Sequence, residues 1–174
     1  DALPISIGMA QTRKKAESLG ARFVFNTCFT AIADAVYLTG EIPRRTDFEK
    51  PDPRLVIKKA GELCPDPLND DQSLILKTAK GLVVIFGCAH AGIINTLHHV
   101  KNKMPKEKVH LLLGGTHLGY LNDTQIEKSI EHLKGFSANK IGVCHCTGWK
   151  ASLRIMNAFG KQFFVASAGQ VINV

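Results

Sequence analysis

Four absences narrow the function of this 174-residue chain before any motif is read. No apolar run approaches the ~18 residues a membrane-spanning helix needs, and no charged-then-apolar leader of the signal-peptide kind is present. No C-x-x-C pair occurs, and the five cysteines, Cys28, Cys64, Cys88, Cys144 and Cys146, are odd in number and scattered. That usage fits a reducing, cytoplasmic setting better than a disulfide scaffold. Aromatic residues make up only 7% of the chain and do not interleave with the basic ones, so nucleic acid is not the expected partner. The charge points elsewhere: 22 Lys and Arg against 15 Asp and Glu give a net +7, which favours a small anionic substrate such as a phosphorylated molecule. Hydrophobic content of 45% and charged content of 21% are ordinary for one globular domain with a real core.

What is present is organised around KGLVVIFGCAHAGII, residues 80–94, an apolar run that ends abruptly in small residues and His90. The arrangement recurs in VHLLLGGTH, ending on His117, and in NKIGVCH, ending on His145. The three histidines are spaced 27 and 28 residues apart, about one strand, one helix and two short loops. Ligands of open α/β sheets collect outside the carboxyl ends of the strands, so parallel neighbours would bring three imidazoles to one edge. A lone histidine after a strand is usually a loop or core residue. Three at one topological position make a candidate metal site, and His98, His99, His110 and His132 do not share that position.

The remaining elements follow in order. Residues 1–6, DALPIS, fit no pattern and match one translated frame of a common sequencing adapter; they are expected to be a non-native leader, with the native chain starting near Ile7. Residues 11–19 suit a short basic helix stopped by Gly20, and ARFVFNTCF and AVYLTGEI suit strands. Between residues 41 and 71, five prolines among acidic residues leave little periodicity, so this stretch is expected to be an irregular, lid-like segment facing the substrate. Asp70 and Asp71 at its end are candidates for substrate binding, beside the plainer reading of a solvated turn. SLILKT and LVVIFG form a hairpin about Ala79-Lys80-Gly81. Helices follow over 92–103, with its start aimed at whatever His90 binds, over 125–134 behind the cap Asn122-Asp123-Thr124, and over 149–159 with Leu153 and Met156 inward. FFVA and QVINV read as closing strands. The alternation after residue 80 predicts an α/β domain with helices packed on a sheet.

Neutral imidazole suits Zn²⁺, Fe²⁺ or Mn²⁺, and a catalytic zinc typically keeps three protein ligands and one open position. Such a metal lowers the pKa of its water towards ~7. Imidazoles, not thiolates, are the expected ligands. Cys88-Ala89-His90 and Cys144-His145-Cys146 also allow a closed Cys/His site or a Cys–His nucleophile, though no short C-x-x-C knuckle or third orienting group supports either.

The segments GEIPRRTDFEK, PDPLNDDQSLIL, GLVVIFGCAHAGIINTL, GGTHLG and CHCTG, in this order, resemble the metallo-β-lactamase superfamily, and within it the methanopterin-precursor (dihydropterin ribofuranosyl-aminobenzene phosphate) synthase-like metal-dependent hydrolases. The resemblance implies an αββα sandwich of two similar halves holding two divalent metal ions, zinc foremost. It makes His90 the third ligand of the first metal and His145 the last histidine of the second. His117 stands where the superfamily often has a bridging Asp. The H-x-H-x-D-H motif of the first half does not occur here, so residues 7–174 are expected to be a partial domain, the C-terminal half of the sandwich. On that reading the intact parent hydrolyses a phosphorylated or ester-like small molecule, pterin-related, by metal-bound hydroxide. This chain alone is inactive and dimerises through its uncovered sheet face. The reading from another class is a non-catalytic binding or interaction module whose histidines are structural.

Overall fold

A computed structural model describes residues 8–9 and 11–174; the leader expected at residues 1–6 lies outside them. The described chain runs α1 (Arg13–Ser18), β1 (Thr30–Ala33), β2 (Val36–Leu38), β3 (Val56–Lys59), β4 (Glu62–Pro65), β5 (Ser73–Thr78), β6 (Gly81–Phe86), α2 (Ile93–Lys103), β7 (Val109–Gly115), α3 (Asp123–Gly135), β8 (Lys140–Cys144), α4 (Gly148–Phe159) and β9 (Phe163–Val165). Seven strands make one sheet in the order β1-β2-β5-β6-β7-β8-β9, and β3 and β4 pair separately. Pairing is antiparallel from β1 to β6 and parallel from β6 to β9. Each parallel step crosses over through one helix, the βαβ arrangement expected from the alternation.

Strand alternation assigns the two faces. Ile75, Val84, Leu112 and Ile141 lie side by side in register and pack with Ile94 and Leu97 of α2, Ile126 and Leu133 of α3, and Ala151 and Ile155 of α4. All three long helices therefore cover one face. Burying this set supplies the main driving force, about 25 cal/mol for each Å² of apolar surface removed from water. The opposite face presents Leu74, Leu76, Val83, Ile85, Leu111 and Leu113. Val83 and Leu111 are buried, but the other four remain half-buried.

Several local expectations change. Residues 21–29 form no strand, and Val24 and Phe25 are exposed, with the Arg13 guanidinium over the rings of Phe23 and Phe25. Strand propensity needs a half-buried surface to fit, and β1 already occupies that edge. Residues 170–174 likewise form no strand. On α4 the buried residues are Ala151 and Ile155, while Leu153 and Met156 are 51% and 40% exposed. Both pairs have helical spacing, so the stripe was periodic on either side, and the helix buries the face with the small alanine. The segment 41–71 contains the β3–β4 hairpin, and its first part is tied to α2.

At the carboxyl edge, two glycines let the strands close up. A Cβ on Gly114 (φ +125°) would lie 2.2 Å from the Phe86 carbonyl oxygen, and one on Gly115 would lie 2.6 Å from the Gly87 oxygen and 2.8 Å from Cys146 Sγ. The half-covered face generates a prediction, since contiguous apolar patches beyond a few hundred Å² are uncommon on stable monomers. Sedimentation of the isolated chain should show concentration-dependent self-association that Leu74→Lys with Leu113→Lys weakens; a monomer at every concentration would refute it.

Candidate metal centre

The three sheet-edge histidines are placed by loops that leave the parallel strands β6, β7 and β8, and each loop contains a non-glycine residue in the left-handed region: Ala89 (φ 55°), His117 (φ 55°) and His145 (φ 52°). Such residues cost of order 1–3 kcal/mol each and persist where the surroundings over-determine them. Their coincidence at one edge marks a built site.

His90 lies in the loop between β6 and α2. Asp71 Oδ2 accepts from Ala91 N at 2.7 Å. Arg44 Nη2 donates to the His90 carbonyl oxygen at 2.9 Å. The N-terminus of α2, expected to face the ligand of His90, is instead filled by Glu49, whose oxygens accept from Ile94 N at 2.9 Å and Asn95 N at 2.7 Å. A Cβ on Gly92 would lie 2.3 Å from that carboxyl group, so glycine is required there, and its φ of +99° adds to the reason. Asn95 Oδ1 in turn accepts from the backbone of Arg45 and Thr46, at 2.7 and 2.9 Å. Burial pushes the carboxyls of Glu49 and Asp71 up from the ordinary range, and the hydrogen bonds they accept oppose that shift.

His117 stacks on His90, with ring centroids 4.4 Å apart and planes 26° from parallel. Its Nε2 lies 3.0 Å from Asp52 Oδ2. Asp52 is held well below the usual carboxylate range, first by the hydrogen bonds from the Arg54 side chain, with His117 adding to the effect against the cost of burial. Arg54 also lies over the Tyr120 ring, 4.9 Å from its centroid. An ionised carboxylate only accepts, so Nε2 donates to Asp52, and in the neutral tautomer this leaves the lone pair on Nδ1. Burial, first among the causes, lowers the His90 pKa from its ordinary value.

His145 is exposed and stands with thiols. Its Nε2 is 3.1 Å from Cys88 Sγ, and the potential donor atoms of Cys88, His145 and Cys146 all lie within 4.8 Å of one another. The His117 backbone N–H donates to Cys146 Sγ at 3.2 Å. Burial pushes the Cys146 thiol up to about 11. The three histidines thus share an edge without closing on one point: His90 and His117 form a pair, and His145 belongs to a sulfur cluster.

These donors fit a divalent metal on their own evidence. The Nδ1 atoms of His90 and His117 are buried and have no hydrogen-bond partner, a cost a bound cation would remove. Ligating histidines commonly give their other N–H to a carboxylate, the pattern His117 shows with Asp52.

No protein-family model matches the chain. It is 31% identical over 159 residues, 90% of its length and 54% of the relative's, to 7,8-dihydropterin-6-methyl-4-(beta-D-ribofuranosyl)-aminobenzene-5'-phosphate synthase of Methanocaldococcus jannaschii. An uncharacterised protein of the same organism is 30% identical over 139 residues, covering 80% of this chain and 50% of that protein. The chain spans about half the length of the curated relatives it matches. A crystal structure of a metal-dependent hydrolase of the β-lactamase superfamily superposes with a TM-score of 0.77 at 30% identity, over 88% of this chain and 58% of that one. This chain belongs to the metallo-β-lactamase superfamily.

Within a metallo-β-lactamase-fold sheet, residues that sequence reasoning did not single out carry much of the geometry: Arg44, Glu49 and Asp52 reach the edge from the 41–71 segment. Their contacts span 45 or more positions of sequence, and no local pattern marks them. Both substrate-binding candidates, Asp70 and Asp71, line an open cleft of about 570 Å³ together with Asp66, Cys88 and His90, and Asp71 also holds the His90 loop through Ala91 N.

Asp52 generates a prediction with a definite sign. Its folded pKa is depressed, so its stabilising contribution is full above the unfolded value of ~3.9 and is lost as pH falls through the lower folded value. Asp52→Asn should cost about 1 kcal/mol in urea denaturation at pH 7, a figure discounted for the exposed Arg54 partner. The gap between variant and parent should close as the pH is taken well below 3.9; a gap independent of pH would refute it.

Proposed function

We propose that this chain supplies part of the divalent-metal centre of a hydrolase acting on a phosphorylated or ester-like small molecule of pterin-related type, with zinc as the metal. The observation that carries the reading is the stacked His90–His117 pair with two buried, unpartnered Nδ1 atoms and the Asp52 carboxylate on the far nitrogen of His117. His90 and His117 would hold one ion of that centre, and His145 would serve a second. When bound, the metal supplies Lewis acidity and lowers the pKa of water towards ~7. Asp52 fixes the tautomer and ring plane of His117, and Asp71 with Arg44 fixes the loop that presents His90.

Substrate charge is met nearby. An open groove of about 720 Å³ beside Asp52 is lined by Lys50, Arg54 and Lys128 together with Phe48 and Tyr120, cations for an anion and rings for a flat heterocycle. The pterin phosphate in the name of the 31%-identical relative supports that substrate class. The partial coverage of both relatives and the hydrolase structure supports an intact parent in which a second half completes the site.

Metal analysis and a hydrolysis screen of the full-length parent against phosphate esters, lactones and pterin compounds test this. His117→Ala and His145→Ala should each lower metal affinity by more than the ~10–100-fold expected for losing an outer hydrogen-bond partner, and abolish turnover. Full metal content in both variants would overturn the reading. The present chain alone should show no turnover in the same assays.

A further inference from the structure

The imidazole pair does not account for the second cluster, and the geometry there points to a different kind of seat. We propose that Cys88, His145 and Cys146 form a thiolate-rich site for a soft divalent cation, Zn²⁺ in preference to Mn²⁺ or Mg²⁺; this rests on the metal-centre reading but departs from the all-imidazole ligand set expected from sequence.

Four observations carry it. The three donor atoms lie within 4.8 Å of one another, and a tetrahedron built on Zn–S of about 2.3 Å and Zn–N of about 2.0 Å has edges of about 3.5–3.8 Å. The widest pair therefore has to close by about 1 Å at most, and Cys88 Sγ and His145 Nε2, 3.1 Å apart, have to open slightly. Cys146 Sγ already accepts the His117 backbone N–H at 3.2 Å, a bond that favours negative charge on sulfur. Gly115 leaves space for that sulfur, because a Cβ there would lie 2.8 Å from it. His145 and Cys146 are consecutive in the tight turn His145–Thr147, and their donor atoms lie within 4.8 Å of each other.

The site is open on one flank. Cys146 is buried and Cys88 half-buried, but His145 is exposed, which leaves the fourth position facing solvent or substrate. Binding forms two metal–sulfur bonds and one metal–nitrogen bond, and releases to solvent the proton of each thiol that becomes a thiolate. Two sulfurs and one imidazole select a soft ion, since carboxylate and water are the ligands that suit Mg²⁺ and Mn²⁺.

Co²⁺ titration of the reduced chain reads this without any activity. The expected result is a saturable near-ultraviolet thiolate-to-cobalt charge-transfer band that Cys88→Ser and Cys146→Ser each reduce by about half, with affinity falling ~10-fold or more. Cys28→Ser should leave band and affinity unchanged. Co²⁺ bound without that band, or a band undiminished in Cys146→Ser, overturns the thiolate seat while leaving the imidazole reading intact; no Co²⁺ uptake at all overturns both. Because Cys146 is buried and its serine variant can fail to fold, the parent chain is also alkylated with iodoacetamide with and without Cd²⁺. Peptide mass mapping should show Cd²⁺ protecting Cys88 but not the exposed Cys28. Equal labelling of Cys88 with and without Cd²⁺ overturns the proposal.

Discussion

A single buried carboxylate, Glu49, holds the site together from a distance. It accepts the N–H groups of Ile94 and Asn95, two of the unpaired donors at the start of α2, and so pins the 44–52 segment to the helix. Burial opposes its charge, while those two donors and Thr46 favour it. The residues on either side then fall into place: Arg44 reaches the His90 carbonyl, and Asp52, three positions beyond Glu49, reaches the ring of His117. A helix N-terminus that would otherwise attract a ligand anion is satisfied internally.

The backbone shows where strain was accepted. Ala89, His117 and His145 all take left-handed conformations immediately past β6, β7 and β8, although none is glycine. A left-handed residue reverses the chain within one step, which a strand needs if its last side chain is to turn back over the sheet edge. The glycines at 114 and 115 answer the complementary need, letting β7 and its turn approach Phe86 and Cys146 closely. Apolar burial beneath the helices is what offsets these local costs.

This division of labour explains what could be read from sequence. β5 to β8 and α2 to α4 were legible because their burial is periodic, and the edge position of the three histidines followed from parallel order alone. The choice of face on α4 was not legible, since Leu153/Met156 (i, i+3) and Ala151/Ile155 (i, i+4) both have helical spacing and only the partner surface selects between them. The roles of Glu49, Asp52 and Asp71 were not legible either. Each acts through a polar contact at least 20 positions away, and such contacts leave no periodic trace. The grouping of His145 with Cys88 in place of the other imidazoles depends on side-chain direction, which strand order does not set.

His117 joins the two donor sets because its backbone and its side chain face different ways. Its N–H goes to Cys146 Sγ, and its ring stacks on His90 and bonds Asp52. An ordinary extended backbone at this position would send N–H and ring along directions set by the strand, and the left-handed turn separates them. The same residue therefore leaves one buried ring nitrogen unpartnered on one side and donates its N–H to a sulfur on the other. Moving the His117 backbone disturbs both sets together, whereas trimming its ring disturbs only the imidazole pair. At the edge of a sheet whose second face is only half covered, that shared residue ties the Asp52-bearing segment to the β8 turn.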